Sequence, residues 1–221
     1  MTTRIDKPVV VLGAGGHAKV LIAALRRLGA EIVGATDADP KRKGTMVADV
    51  PVLGDDSTLS AHAPDGVLLV NGLGTTKSTD ARRGLYERFA ERGYRFAAVL
   101  DPLAVIAGEV EIGAGAQVLA GAVIQPGVRL GDNAIVNTRA VVDHDCRIGA
   151  HVHVAPGATL SGGVRVGVGA HIGTGASVIH ETRIGAGAVV GAGAAVVADV
   201  PDGATVVGVP ARVVTAKDGA R

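Results

Sequence analysis

Counting from Ile106 in steps of six, the chain meets Ile112, Val118, Ile124, Leu130, Val136, Val142, Ile148, Val154, Leu160, Val166, Ile172, Val178, Ile184, Val190 and Val196. All sixteen stops are Ile, Val or Leu, with no slip and no insertion. Two residues before a stop, from Val110 to Ala194, stands Ala, Val or Cys146, with Thr182 the one polar exception. Gly often follows the stop, as at Gly113, Gly131 and Gly149. This period fits neither a helix, which repeats every ~3.6 residues, nor plain strand alternation. It is the hexapeptide repeat of a parallel β-helix. Each hexapeptide supplies one short strand and one corner. The aliphatic stop points into a prism, and the small residue fills the tight space near a corner. Three hexapeptides close one coil, and stacked coils hydrogen-bond like parallel strands about 4.8 Å apart. The repeat therefore predicts roughly five coils and a prism about 25 Å tall.

Composition suits such a prism. Apolar residues make up 48% of the 221 residues, enough for the core of one or two domains. Aromatics are only 2%, with no Trp, as expected of a narrow interior filled by Val, Ile and Ala. The net charge is +1 and no run of five Lys or Arg occurs, so nucleic acid is not an expected partner. A single cysteine rules out an internal disulfide and fits a reducing cytoplasm. Cys146 takes an inward slot of the repeat and reads as a packing residue. The first residues hold no long apolar leader and no apolar run reaches membrane-spanning length, so neither secretion nor membrane insertion is expected.

The residues before the repeat follow a different pattern. An apolar run at 9–12, a Gly-rich turn and an amphipathic stretch at 20–28 ending at Gly29 read as strand, turn and helix. A second strand at 31–36 places Asp37 at its tip, and a polar loop covers 41–44. A short strand at 50–53, a short helix at 57–62 and a third apolar run at 67–70 follow. The exit loop 71–75 comes next, then a helix from Ser78 as cap through Arg92, with Gly93 as its stop. A last strand is expected over 94–100. Such alternation predicts an α/β, Rossmann-like domain at 1–100, joined through Asp101 and Pro102 to an all-β β-helix at 101–215, with a tail at 216–221.

Chemistry gathers at two places. Gly13-x-Gly15-x-x-Ala18, between a strand and a helix, fits a phosphate-binding turn, in which glycines admit the pyrophosphate and the helix N-terminus stabilises its charge. A tight turn without a ligand would use the same glycines. Asp37 could bond a ribose hydroxyl or a base edge, and the loop carrying Gly74 should share that sheet edge. The α/β region leaves no room for a separate dehydrogenase-type catalytic domain. In the prism, His153 and His171 are one coil apart and should stack, while His144 and His180 share a face two coils apart, about 10 Å. His144 and His153 are half a coil apart, on opposite sides of one prism. Only two prisms side by side could bring them to one ligand, which predicts a site between subunits. Asp143 and Asp145 flank His144, and a carboxylate beside an imidazole orients the ring and raises its basicity, as a general base requires.

The GAGGH turn at 13–17, the segment from Val141 to Val164 and the VGVPAR ending at 207–212 make the chain similar to the bacterial nucleotide-amino-sugar N-acetyltransferases. The sialic-acid O-acetyltransferases are relatives of the same build. The resemblance implies a left-handed β-helix, a homotrimer with sites between subunits, acetyl-coenzyme A as donor, and a nucleotide sugar held by the N-terminal domain. It implies His144 as catalytic base, with Asp145 in the place of its acidic neighbour. His153, Thr174 and Ala192 would contact acetyl-coenzyme A, and Gly15, Gly16, His17, Asp37 and Gly74 the nucleotide sugar. No metal is implied. The implied acceptor is the 4-amino group of a 4-amino-4,6-dideoxyhexose, with GDP-perosamine ahead of a UDP-linked sugar. Two other readings stay open. Trimeric prisms also resemble γ-type carbonic anhydrases, which hold zinc between subunits through histidines, and a sugar-nucleotide sensor could use the prism only to trimerise.

Overall fold

In a computed structural model, described over residues 5–75 and 78–214, the expected tail at 216–221 lies outside the described residues. The N-terminal elements run β1 (Val9–Leu12), α1 (Gly16–Arg27), β2 (Ile32–Thr36), β3 (Met46–Val47), β4 (Val50–Gly54), β5 (Leu68–Asn71), α2 (Asp80–Glu91) and β6 (Arg95–Phe96). All four residues of β1 are apolar because a helix lies on each side of it. Val9 and Val11 pack with Leu21, Ile22 and Leu25 of α1, whereas Val10 and Leu12 pack with Leu85 and Phe89 of α2. The sheet order is β3-β4-β2-β1-β5-β6, parallel except for the β3–β4 hairpin.

Local chemistry moves several boundaries. Helix α1 begins at Gly16, so Gly16 and His17 form its first turn, and no side chain caps it at Gly15. The short helix expected at 57–62 is a 3-10 turn over Asp56–Ala61, with the Asp55 carboxylate accepting from the Ser57 N–H. Helix α2 has Thr79 at its N-cap, while the Ser78 hydroxyl accepts from the Asp80 N–H at 3.0 Å. The strand expected over 94–100 is two strands. Arg95–Phe96 completes the α/β sheet, and Val99–Leu100 pairs with Gln117–Val118 in the first layer of the prism. The prism thus begins two residues before Asp101.

From Ile106 to Val196 each stop is the second residue of a two-residue strand. Parallel pairs join equivalent residues of successive coils, as in Ile135↔His153↔His171↔Val189, and build the three faces of a left-handed parallel β-helix. Stops from Val118 onward are buried, while Ile106 and Ile112 are partly buried at the open end of the stack. The third residue after each stop from Ile112 to Val190 has a positive φ. Gly fills nine of these corner slots, and Asn133, Arg139, Asp145, His151 and Glu181 fill the other five.

The three faces differ outside. The first carries Gln117, Ile135, His153 and His171, all buried beneath the α/β domain. Val99 and Leu119 join the core of α1, Arg27 grips the buried Asp101 carboxylate with Nε and Nη2, and the Thr79 hydroxyl donates to the Gly169 carbonyl at 2.9 Å. The second face presents Val105, Val123, Val141, Thr159, Ser177 and Ala195, none charged. The third presents Glu111, Arg129, Arg147, Arg165 and Arg183. At the C-terminal end the strand Thr205–Val207 is covered by an antiparallel strand, Arg212–Val213. Ala195, at the edge of the second face, bonds Gly208 and Ala211, and on the third face Asp199 and Asp202 accept from the N–H groups of Arg183 and Ala186.

Candidate functional site

Because the α/β domain sits on the first face, its glycine turn, the exit loop of β5 and the first-face histidines enclose one cavity of about 690 Å³. Gly15, Gly16, His17 and Gly74 line it from one side, and His153 and Thr174 from the other. Gly74 lies against His17, where an added Cβ would stand 3.1 Å from the imidazole's own Cβ. The first-turn N–H groups of α1 lack side-chain acceptors, which suits an anion there.

Hydrogen bonds set which ring nitrogen carries the proton in two of the cavity's imidazoles, and burial keeps them neutral. Gln117 donates its amide to the Asn71 carbonyl at 2.8 Å, so its own oxygen accepts from His17 Nε2–H at 2.8 Å. Burial, with the Arg82 cation behind it, pushes His17 down to about 4. Asn137 Oδ1 accepts from the Thr138 N–H at 2.7 Å, leaving its amide to donate to His153 Nε2 at 3.0 Å. His153 Nδ1–H then donates to the Thr75 hydroxyl. Burial first, then neighbouring cationic groups, pushes His153 down to about 3. His153 is therefore a neutral, oriented ring at physiological pH. His171 stacks edge-on to it with centroids 5.0 Å apart and is lowered by burial.

His144 stands elsewhere, at the corner between the second and third faces, with its side chain 62% exposed. Its Nδ1 bonds Asp145 Oδ2 at 2.9 Å, so the short carboxylate does reach the ring. That hydrogen bond first, and then the charge of Asp143, raises the His144 pKa. Nε2 is left free to accept a proton. Two glycines make room for the dyad: a Cβ at Gly162 would stand 2.5 Å from the His144 ring, and one at Gly127 2.6 Å from the Asp145 carboxylate. Cys146, next along, is buried, donates toward the Ser161 carbonyl at 3.2 Å and is pushed up to about 11 by burial, so it is no nucleophile.

The structure thus gathers six of the expected residues and leaves four apart. Asp37 lines a separate cavity of about 420 Å³ with Gly13, Asp56 and Asp80, and Leu73 borders both spaces. Its carboxylate accepts from the N–H groups of Ala14 and Asp39 and pairs with Arg42 at 3.3 Å. Ala192 is exposed one coil beyond Thr174. His144 and Asp145 do not face the cavity of their own chain. Thr75, Gln117 and Asn137 are additions the spacing did not single out. A signal existed for two of them, because Asn137 and Gln117 put amides beside the stops Val136 and Val118. Among the described residues, no three His, Cys, Asp or Glu side chains converge in a way that could hold a metal ion.

Two families match along the chain: the PglD N-terminal domain over residues 8–89 and the bacterial transferase hexapeptide (six repeats) over residues 127–162. No curated protein sequence matches. Among solved structures, the chain is 41% identical to a perosamine N-acetyltransferase from Caulobacter crescentus, with 95% of this chain and 98% of that chain covered and a TM-score of 0.89. The chain belongs to the hexapeptide-repeat nucleotide-amino-sugar N-acetyltransferases. The Caulobacter structure is a histidine variant in complex with CoA and GDP-perosamine. The acetyltransferase domain of PglB from Neisseria gonorrhoeae, in complex with acetyl coenzyme A, is 37% identical, with 95% of this chain and all of that one covered and a TM-score of 0.87. WeeI from Acinetobacter baumannii is 30% identical at the same coverage, with a TM-score of 0.84. As a member of this family, the protein is an acyltransferase. The second match spans the coils that carry His144 and His153, and the first spans β1 through most of α2. Among the described residues, no helix is long and apolar enough to cross a membrane.

Proposed function

We propose that the protein transfers the acetyl group of acetyl-coenzyme A to the 4-amino group of a nucleotide-linked 4-amino-4,6-dideoxyhexose, GDP-perosamine first among them. The donor follows from the family and from relatives solved with acetyl coenzyme A or CoA. The acceptor reading rests on the perosamine N-acetyltransferase, the relative solved with GDP-perosamine. A cytoplasmic setting follows from those two substrates. The carrying observation is that the working halves lie on different sides of one chain: an oriented His144–Asp145 pair at one corner, and a cavity with neutral His153 at another. In a homotrimer the corner of one copy enters the cavity of the next, across the uncharged second face. That arrangement is our reading of the half-coil offset.

The amine attacks the thioester carbonyl, forming the C–N bond. His144 Nε2 takes the amine proton, the tetrahedral intermediate collapses, the C–S bond breaks and the thiolate leaves, to be protonated in turn. Backbone N–H groups near the thioester stabilise the developing oxyanion. Gly15, Gly16, His17 and Gly74 hold the sugar nucleotide with Asp37 at its far end, while His153, Thr174 and Ala192 meet the donor. The test is a panel of GDP- and UDP-linked 4-amino sugars with acetyl-coenzyme A, scored by thiol release. Release with GDP-perosamine above all others is expected. Ligand binding without thiol release across the panel would favour a sensor, and a UDP-sugar preference would reassign the base.

A further inference from the structure

Arg82 is the largest side chain buried completely, at 1% exposure. Its Nη1 donates to the carbonyls of Asn71, at 2.8 Å, and Leu73, at 2.7 Å. Nε and Nη2 reach the Asn133 carbonyl at 3.4 Å. The Asn71 amide returns a bond to the Arg82 carbonyl at 2.9 Å. One residue of α2 therefore ties the exit loop of β5 to a corner of the prism. Leu73 in that loop lines the cavity described above.

What Arg82 lacks is a counter-ion. Its partners among the described residues are all carbonyl oxygens, with no carboxylate at ion-pair distance. A buried charge is ordinarily paired, because leaving water is costly and an opposite charge returns part of that cost. Packing alone would be served as well by an apolar residue of similar volume. Burial lowers the guanidinium to about 9, so it stays charged at neutral pH. Its field reaches His17 and His153, which both line the cavity. A fixed positive charge without a partner behind a cavity wall is complementary to an anion in the cavity.

We infer that Arg82 is a positioning residue of the transferase site, which clamps the exit loop of β5 to the prism and holds a fixed charge for the diphosphate of the sugar nucleotide. This rests on the function proposed above, from which the diphosphate comes. The test compares the wild-type chain with R82M, which keeps length but removes charge and donors, and R82K, which keeps charge with fewer donors. Two quantities are read: amide hydrogen exchange at residues 72–74, and the affinity ratio of GDP to guanosine, with UDP to uridine alongside. In R82M the loop amides should exchange at least about tenfold faster and the diphosphate preference should fall about tenfold. R82K should keep that preference within about twofold while its loop loosens, because a point charge replaces the fork. A merely structural arginine would weaken nucleoside and diphosphate alike, so an unchanged ratio in R82M overturns the electrostatic role. Unchanged exchange in both variants overturns the clamp. If the wild-type chain binds neither diphosphate, the function reading and the diphosphate role fall together, while the exchange result still decides the clamp. If R82M does not fold, R82K decides: a kept preference supports the charge role and a lost one overturns it.

Discussion

Gly162 should govern catalysis without touching the reacting atoms. A Cβ at this position would stand 2.5 Å from both Cε1 and Nε2 of His144, well inside the 3.0 Å below which real Cβ contacts essentially never occur. In Gly162→Ala the imidazole must swing away, and its 2.9 Å bond to Asp145 would not survive the movement. The backbone loses nothing, since Gly162 lies outside the left-handed region, and alanine should add about 0.4–1 kcal/mol through a less flexible unfolded chain. The expected outcome is a Tm that is unchanged or raised, with kcat lowered by about 10²-fold. That is the low end of the range for a positioned acid or base, because the ring is present but misaligned. The pH profile adds a second reading. The Asp145 hydrogen bond is the main cause holding the His144 pKa above 6.5. Losing it lowers that pKa, so the base is free at lower pH and the rising limb of kcat against pH should shift down toward 6.5. Calorimetry and thiol-release kinetics across pH check both. Wild-type turnover with an unmoved limb would refute the geometry argued for the dyad.

His144→Ala should lower kcat by about 10²–10⁴-fold under saturating donor, whereas His153→Ala should chiefly raise KM for acetyl-coenzyme A. Steady-state kinetics with both substrates varied separates the two. Asp145→Gly should be more stable by up to about 1 kcal/mol, because relief of a left-handed L-residue, about 1–2 kcal/mol, exceeds the flexibility glycine adds to the unfolded chain. Denaturant melts measure that gain, and the same variant should turn over more slowly. Cys146→Ala should keep turnover within about twofold, since a buried thiol pushed up to about 11 takes no part in the reaction. Thiol release by the purified variant checks it.

The prism was legible because each coil repeats one decision. An inward aliphatic, a slim neighbour and a corner residue recur at fixed places, so a single hexapeptide stands for all of them. The dyad was legible for the same reason: adjacent residues stay adjacent, and half a coil fixes the side. The cavity was harder to see. Asn137 reaches His153 within the prism, but Thr75 meets His153, and His17 meets Gln117, only after the α/β domain docks, across 78 and 100 residues of chain. No spacing rule carries such distances. The strand expected over 94–100 failed on a related point, because its apolar run serves two sheets in turn and Ala97 and Ala98 pass between them. Asp37, placed from its position at the tip of the second strand, does bond the glycine turn through the Ala14 N–H, but it lines a second space that shares Leu73 with the first, a division no strand-tip rule shows.

The C-terminal end of the prism sets how many molecules can join a stack. Every open coil is a parallel template, with N–H and C=O groups spaced to receive another coil from any copy of the same chain. Left bare, such an end would let molecules add head to tail into fibres. Here the antiparallel Arg212–Val213 strand reverses the direction any newcomer would have to match on the first face. Gly208 and Ala211 take the groups of Ala195 on the second, and two aspartates occupy the third, adding negative charge to a rim that a further coil would have to cover. Among the described residues, a further coil would therefore find no bare, continuous parallel edge at this end of the prism.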